Sequence, residues 1–147
     1  RTCLRCWGDG RYGINGDGLN QELSPRTDLC IFKSELGTDS GRTISQLRTG
    51  RANACVLLDN GVIYCWGYGH VGMIGDGGSG WSYERVQEPK KASLPEGRIA
   101  INLTLGHWNA FAVLDDNSVW GWGSNIFRAW NGSRSHQSGH RYRSAYL

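Results

Sequence analysis

The sequence repeats itself, and nothing else in it limits the fold so tightly. Cys6-Trp7-Gly8 is followed by glycines at Gly10, Gly13, Gly16 and Gly18, and Cys65-Trp66-Gly67 by glycines at Gly69, Gly72, Gly75 and Gly77. Both stretches read W-G-x-G-x-x-G-x-x-G-D-G. A weaker copy runs from Gly121-Trp122-Gly123 to Asn131-Gly132-Ser133. Trp7 and Trp66 are 59 residues apart, Trp66 and Trp122 are 56 apart. A period of this length with little helical signal fits propeller blades better than helical solenoids.

The residues before each Trp-Gly repeat as well. Gly50–Gly67 aligns without a gap on Gly106–Gly123, and 7 of 18 positions are identical. Each copy reads as a β-hairpin. Asn53–Leu58 is an apolar run, Asp59-Asn60-Gly61 supplies turn residues that tolerate positive φ, and Val62–Trp66 returns with β-branched and aromatic residues. Asp115-Asp116-Asn117 serves the same turn in the next copy, and Ile44–Leu47 and Ile99–Leu105 supply a preceding strand. Glu22–Arg42 and Ser79–Gly97 hold all three prolines and read as variable loops with one outer strand at most. Composition agrees. Glycine is 22 of 147 residues, twice the usual ~7 %, and seven tryptophans are set among these glycines. Rigid aromatics between turn residues predict an all-β chain and argue against a helical bundle.

The repeat resembles that of the regulator of chromosome condensation family, approximately I-x-x-G-x-x-H-x-x-A-L-x-x-D-G-x-V-Y-x-W-G-x-N-x-x-G-Q-L-G-x-G. Gly50, Leu57, Gly61, Tyr64, Trp66, Gly67, Gly72, Gly75 and Gly77 match it, with Leu47, Asn60 and Ile63 as close replacements. Asn53 and Asn109 stand where the family carries His, and Met73-Ile74 and Ile14-Asn15 where it carries Gln-Leu. In the third copy Asn125 follows the family, whereas Arg128, Ala129 and Trp130 depart from it. The resemblance covers residues 43–127 well and residues 1–18 by the Trp-Gly half alone. It implies a β-propeller, and this chain a partial one: consecutive antiparallel blades with Gly-rich loops. The expected organisation is an incomplete first repeat over 1–42, a complete blade over 43–98, a degenerate third repeat over 99–133 and a basic polar tail over 134–147. Two and a half repeats cannot close a ring. The chain, which starts at Arg1, reads either as a piece of a longer polypeptide or as a subunit completed by other proteins covering its open blade edges.

Five cysteines are present: Cys3, Cys6, Cys30, Cys55 and Cys65. Cys55 and Cys65 flank the hairpin turn at facing positions. Phe111 and Gly121 replace both together in the next copy, as a bonded pair predicts; two independent core thiols are the alternative. A disulfide implies an oxidising compartment, secreted or an organelle lumen. The pairing of Cys3, Cys6 and Cys30 is open. Cys6 is the repeat equivalent of Cys65, and the matching mate would precede Arg1. Asn131-Gly132-Ser133 and Asn102-Leu103-Thr104 fit the glycosylation triplet, the second within an expected strand.

Sites of chemistry are hard to find. His136 and His140 have metal-ligand spacing, but Ser135, Ser138 and Gly139 disfavour the helix that would align them. Gly77-Gly78-Ser79-Gly80-Trp81 lacks the final Gly and the leading strand of a nucleophile elbow. The Gly-Asp-Gly triplets lack the alternating carboxylates of a calcium loop. No catalytic, cofactor or metal residue is therefore expected. Net charge is +3; the last twenty residues contribute +4 through Arg128, Arg134, Arg141 and Arg143. That basicity sits in one tail, so nucleic acid is an unlikely partner class. The two longest uncharged stretches, 16 residues each, are too short and polar to span a bilayer, so any membrane association would come through a partner. Trp7-Gly8, Trp66-Gly67 and Trp122-Gly123 read as the repeat signature, its tryptophans wedged between blades. Trp81, Tyr83, Trp108, Trp130, Arg141 and Arg143 are the candidate partner contacts. The expected function is a non-enzymatic protein-interaction scaffold, in one form an accessory subunit of a larger assembly. Family resemblance alone implies the alternative, guanine-nucleotide exchange on a small GTPase.

Overall fold

Turn chemistry builds the two complete sheets alike. In the hairpin Asn53–Leu58 (β4) to Ile63–Tyr68 (β5), the Gly61 N–H donates to Leu58 O at 3.0 Å. In the hairpin Asn109–Leu114 (β8) to Val119–Gly123 (β9), the Asn117 N–H donates to Leu114 O at 2.9 Å. Gly61 (φ 79°) and Asn117 (φ 61°) are repeat equivalents, and both take the left-handed conformation the turn demands. The residue before each also corresponds. Asn60 Oδ1 accepts from the Val62 N–H and Asp116 Oδ1 from the Ser118 N–H.

The computed structural model describes residues 4–16, 18, 24–29, 39, 41–77, 85–124 and 140–142. Within them the chain is all-β, with ten strands in three antiparallel sheets and no α-helix. Leu4–Gly8 (β1) pairs with Ser24–Leu29 (β2). Ile44–Thr49 (β3), β4, β5 and Arg85–Lys91 (β6) form a four-stranded sheet in chain order. Ala100–Leu105 (β7), β8, β9 and His140–Tyr142 (β10) form a second. The outer strands expected in the two variable loops are β2 and β6. β10 falls inside the segment read from sequence as a polar tail: backbone pairing with Trp120 and its neighbours makes it the fourth strand of the blade. That pairing needs no apolar pattern, which is why composition gives no sign of it.

The two blades pack face to face. Every residue of β4 is buried, whereas β8 alternates buried and half-buried. β4 contacts β7 of the next blade, while the Gly-rich excursion after β1 packs against β5 and β6. The core joins Val56, Leu58, Ile63, Trp66 and Ile74 to Leu103, Ala112, Leu114 and Trp122. Cys55 and Cys65 face each other across the β4–β5 hairpin and are bonded, with Cα atoms 4.1 Å apart. Cys3 and Cys30 lie outside the described residues; Cys6 is half-buried on β1. No helix among the described residues is long and apolar enough to cross a membrane.

Candidate protein-interaction face

The Trp-Gly signature explains how the blades are fixed. Trp66 is 1 % exposed, and its indole N–H donates to Ile14 O at 2.7 Å. Trp122, also 1 % exposed, donates to Met73 O at 3.1 Å. Ile14 and Met73 are equivalent: each lies seven residues beyond the preceding Trp, just after the 3-10 turns Arg11–Gly13 and His70–Gly72. Each tryptophan is therefore pinned to the excursion of the repeat before it. Gly75 belongs to the same contact, because a Cβ there would lie 2.8 Å from the Trp122 indole. Gly67 is needed for a second reason: with φ 101°, a Cβ would press 2.5 Å from Ala52 O. Trp7 occupies the same register but is 67 % exposed.

Pinning the excursions brings aromatic side chains from three repeats to one end of the blades. This is the end where β5 leaves its sheet and where β4 and β8 enter theirs; the hairpin turns and Asp39 lie at the other. Tyr68 is the hub. Its ring lies 5.0 Å from Tyr12 in the first repeat, 5.5 Å from His70, and 6.2 Å from Trp108 in the third. His107 packs on Trp108 at 4.9 Å. Arg85 lies over the Tyr12 ring at 5.6 Å and Arg51 over the Trp108 ring at 5.4 Å. Arg51 Nη1 is also 3.3 Å from His107 Nε2. Tyr12 and both arginines are exposed, and Tyr68, His70 and Trp108 are half-buried. The result is a ridge of rings crossing both blade junctions, with a cation over each end ring. Such a ridge suits recognition, since rigid rings give contact area at low entropic cost.

Of the contacts expected from sequence, the structure places Trp108 on this ridge. Trp81, Tyr83, Trp130 and Arg143 lie outside the described residues, as do Asn131 and His136; Arg141 lies on β10. Asn102 lies on β7. Tyr12, Tyr68, His70, Arg51 and Arg85 escape sequence reading because they belong to different repeats and none stands at a position the repeat holds fixed. Tyr68 and Tyr12 in fact occupy positions the signature leaves variable, which is the one clue available.

At the opposite end, Asp39 is 4 % exposed and accepts from the Tyr64 hydroxyl at 2.8 Å and the Asn60 amide at 2.7 Å, with Lys91 Nζ at 3.7 Å. Burial pushes its carboxyl up, but Tyr64, Asn60 and Lys91 outweigh this and hold it below its usual range. Tyr64 is pushed up to about 12 by burial and then by the Asp39 carboxylate. The cluster ties the loop before β3 to the hairpin.

The chain resembles several known proteins. It is 31 % identical over 103 residues to the X-linked retinitis pigmentosa GTPase regulator homolog of Caenorhabditis elegans, covering 70 % of this chain and 7 % of that protein. It is 26 % identical over 119 residues to the human E3 ubiquitin-protein ligase HERC2, covering 81 % of this chain and 2 % of HERC2. The fold matches yeast RCC1 (Prp20), solved bound to Kap60, with a TM-score of 0.70 at 18 % identity over 98 % of this chain and 34 % of that one. These are regulator of chromosome condensation repeats. No protein-family model matches the chain. The RCC1-type repeats here thus span a small part of the length of the relatives they match. Those relatives are chiefly regulatory and binding proteins, HERC2 being a ligase, and they support a protein-interaction or exchange-regulatory family.

Proposed function

We propose that this RCC1-type repeat chain is a non-enzymatic protein-interaction module whose contact surface is the aromatic ridge around Tyr68. The observation that carries this reading is the series Tyr12, Tyr68, Trp108, in which three repeats contribute neighbouring rings to one accessible face. A rigid sheet scaffold presenting such a face recognises a partner without any reactive centre. The yeast structure with Kap60 is a precedent for protein binding by the fold. We assign the chain to an oxidising compartment on the strength of the Cys55–Cys65 bond. Guanine-nucleotide exchange is the second reading, favoured by the GTPase-regulator relative alone.

The test uses the full chain and a Tyr68→Ala/Trp108→Ala variant, with folding of both verified by circular dichroism. Crosslinking followed by mass spectrometry is expected to yield a defined protein set with the wild type that is lost with the variant. The same set from both sinks the ridge as contact surface. Acceleration of nucleotide release from any of a panel of small GTPases by about tenfold or more shifts the assignment to the exchange reading.

A further inference from the structure

We infer that the ridge binds an acidic peptide segment of its partner, with Arg51 and Arg85 as the carboxylate-recognising groups; this rests on the interaction reading above. Three of the described arginines pair with carboxylates, Arg11 with Asp9, Arg42 with Asp59 and Arg98 with Asp115 and Asp116, while exposed Arg48 bonds a backbone carbonyl, Leu47 O. Arg51 and Arg85 are exposed, and among the described residues neither has a carboxylate partner. Each is instead laid against the ring at one end of the series Arg85, Tyr12, Tyr68, Trp108, Arg51, whose steps measure between 5.0 and 6.2 Å.

An arginine held over a ring keeps N–H donors at its guanidinium edge for a ligand (Arg51 turns Nη1 toward His107 Nε2 and keeps the others), and its position is set before a ligand arrives. That lowers the ordering cost of binding and favours a planar, bidentate acceptor such as a carboxylate. His107, 3.3 Å from Arg51, adds a further polar group at the Trp108 end. The rings between the arginines supply apolar contact for side chains that separate the acidic ones. A segment with acidic residues at both ends and apolar residues between them is complementary in charge and in surface. Nucleic acid fits less well: two arginines on the ridge are few against the half-dozen or more phosphate contacts that give useful affinity.

Three fluorescently labelled probes test the proposal against the full chain by anisotropy: a peptide of mixed Glu, Asp and Leu, its Gln/Asn counterpart, and an oligothymidine of similar length. The acidic peptide is expected to bind and to weaken as salt is raised. Arg51→Gln and Arg85→Gln should each weaken it by about tenfold, while Arg48→Gln, on exposed β3, should leave it unchanged. Equal binding of the neutral peptide, tighter binding of the oligonucleotide, no binding of the acidic peptide, or indifference to both substitutions overturns the proposal. If the crosslinked partners depend on Tyr68 and Trp108 but survive Arg51→Gln/Arg85→Gln, the acidic-segment proposal falls and the interaction reading stands.

Discussion

At the scale of single residues, Trp66 and Trp122 combine burial with one directed bond. Each indole fills a wedge between repeats and satisfies a carbonyl of the neighbouring excursion. Replacing either with Phe keeps the aromatic bulk but leaves Ile14 O or Met73 O without this donor. Urea unfolding of Trp66→Phe or Trp122→Phe should show a loss of about 1–3 kcal/mol from the lost bond and the imperfect fit. Trp7→Phe, at a 67 % exposed site, should cost less than about 0.5 kcal/mol. The Asp39–Tyr64 pair sets a pH window. Asp39 titrates below its ordinary 3.8, so its contribution is present above that value and is lost as pH falls through the folded pKa. Tyr64 titrates above its ordinary 10.0, so its contribution holds below pH 10 and is lost as pH rises toward about 12. Tyr64→Phe should destabilise by about 1–2 kcal/mol at neutral pH and reduce the alkaline arm of a stability–pH profile. An unchanged alkaline arm would show that Tyr64 is not the group responsible.

The β4–β5 hairpin is the element on which the middle blade depends. It is buried on both faces and closed by the Cys55–Cys65 bond over a sequence separation of 10. Closing so short a loop stabilises by roughly 2–3 kcal/mol in the chain-entropy model. Non-reducing peptide mapping should recover Cys55 and Cys65 in one linked fragment. The Cys55→Ala/Cys65→Ala chain should unfold at lower urea concentration, its unfolding free energy reduced by that amount, and recovery of both thiols free from native protein would contradict the bond. The β8–β9 hairpin has Phe111 and Gly121 facing each other at the same register and needs no crosslink to keep the same turn hydrogen bonds. Turn geometry thus comes from Gly61 and Asn117, and the disulfide adds stability to a hairpin already specified.

For the whole molecule, the repeats form a row in which each blade is coupled to the next mainly through one tryptophan and one excursion. Stability in such a row is close to a sum of blade terms and junction terms. Native-state hydrogen exchange should find the β4 and β5 amides slowest, since they are buried from both sides. Trp122→Phe, which weakens the junction between the second and third repeats, should speed exchange in β8 and β9 more than in β4 and β5. An equal increase in all four strands would mean that the blades open as one cooperative unit. The same row arrangement creates the aromatic ridge, because side chains projecting at each junction meet those of the next repeat.

Sequence alone determined the hairpins, their turns, the repeat register and the facing of Cys55 with Cys65. These depend on local rules: apolar runs bounded by Asp-Asn-Gly or its equivalent, Gly or Asn where φ must be positive, and an 18-residue hairpin segment that aligns without a gap between two repeats. Strand β4 falls on Asn53–Leu58 as its apolar run predicts, and β5 begins at Ile63, within one residue of its expected start. Tertiary structure decided the rest. β10 is a strand because β9 offers it an edge, a fact its own polar composition does not carry. The meeting of Tyr12, Tyr68 and Trp108 is decided by how far the excursions turn after each Trp-Gly, and residues 56 and 40 positions apart have no local pattern that announces their contact. Local chemistry fixes each unit, and the packing of units against one another fixes which variable side chains become a shared surface.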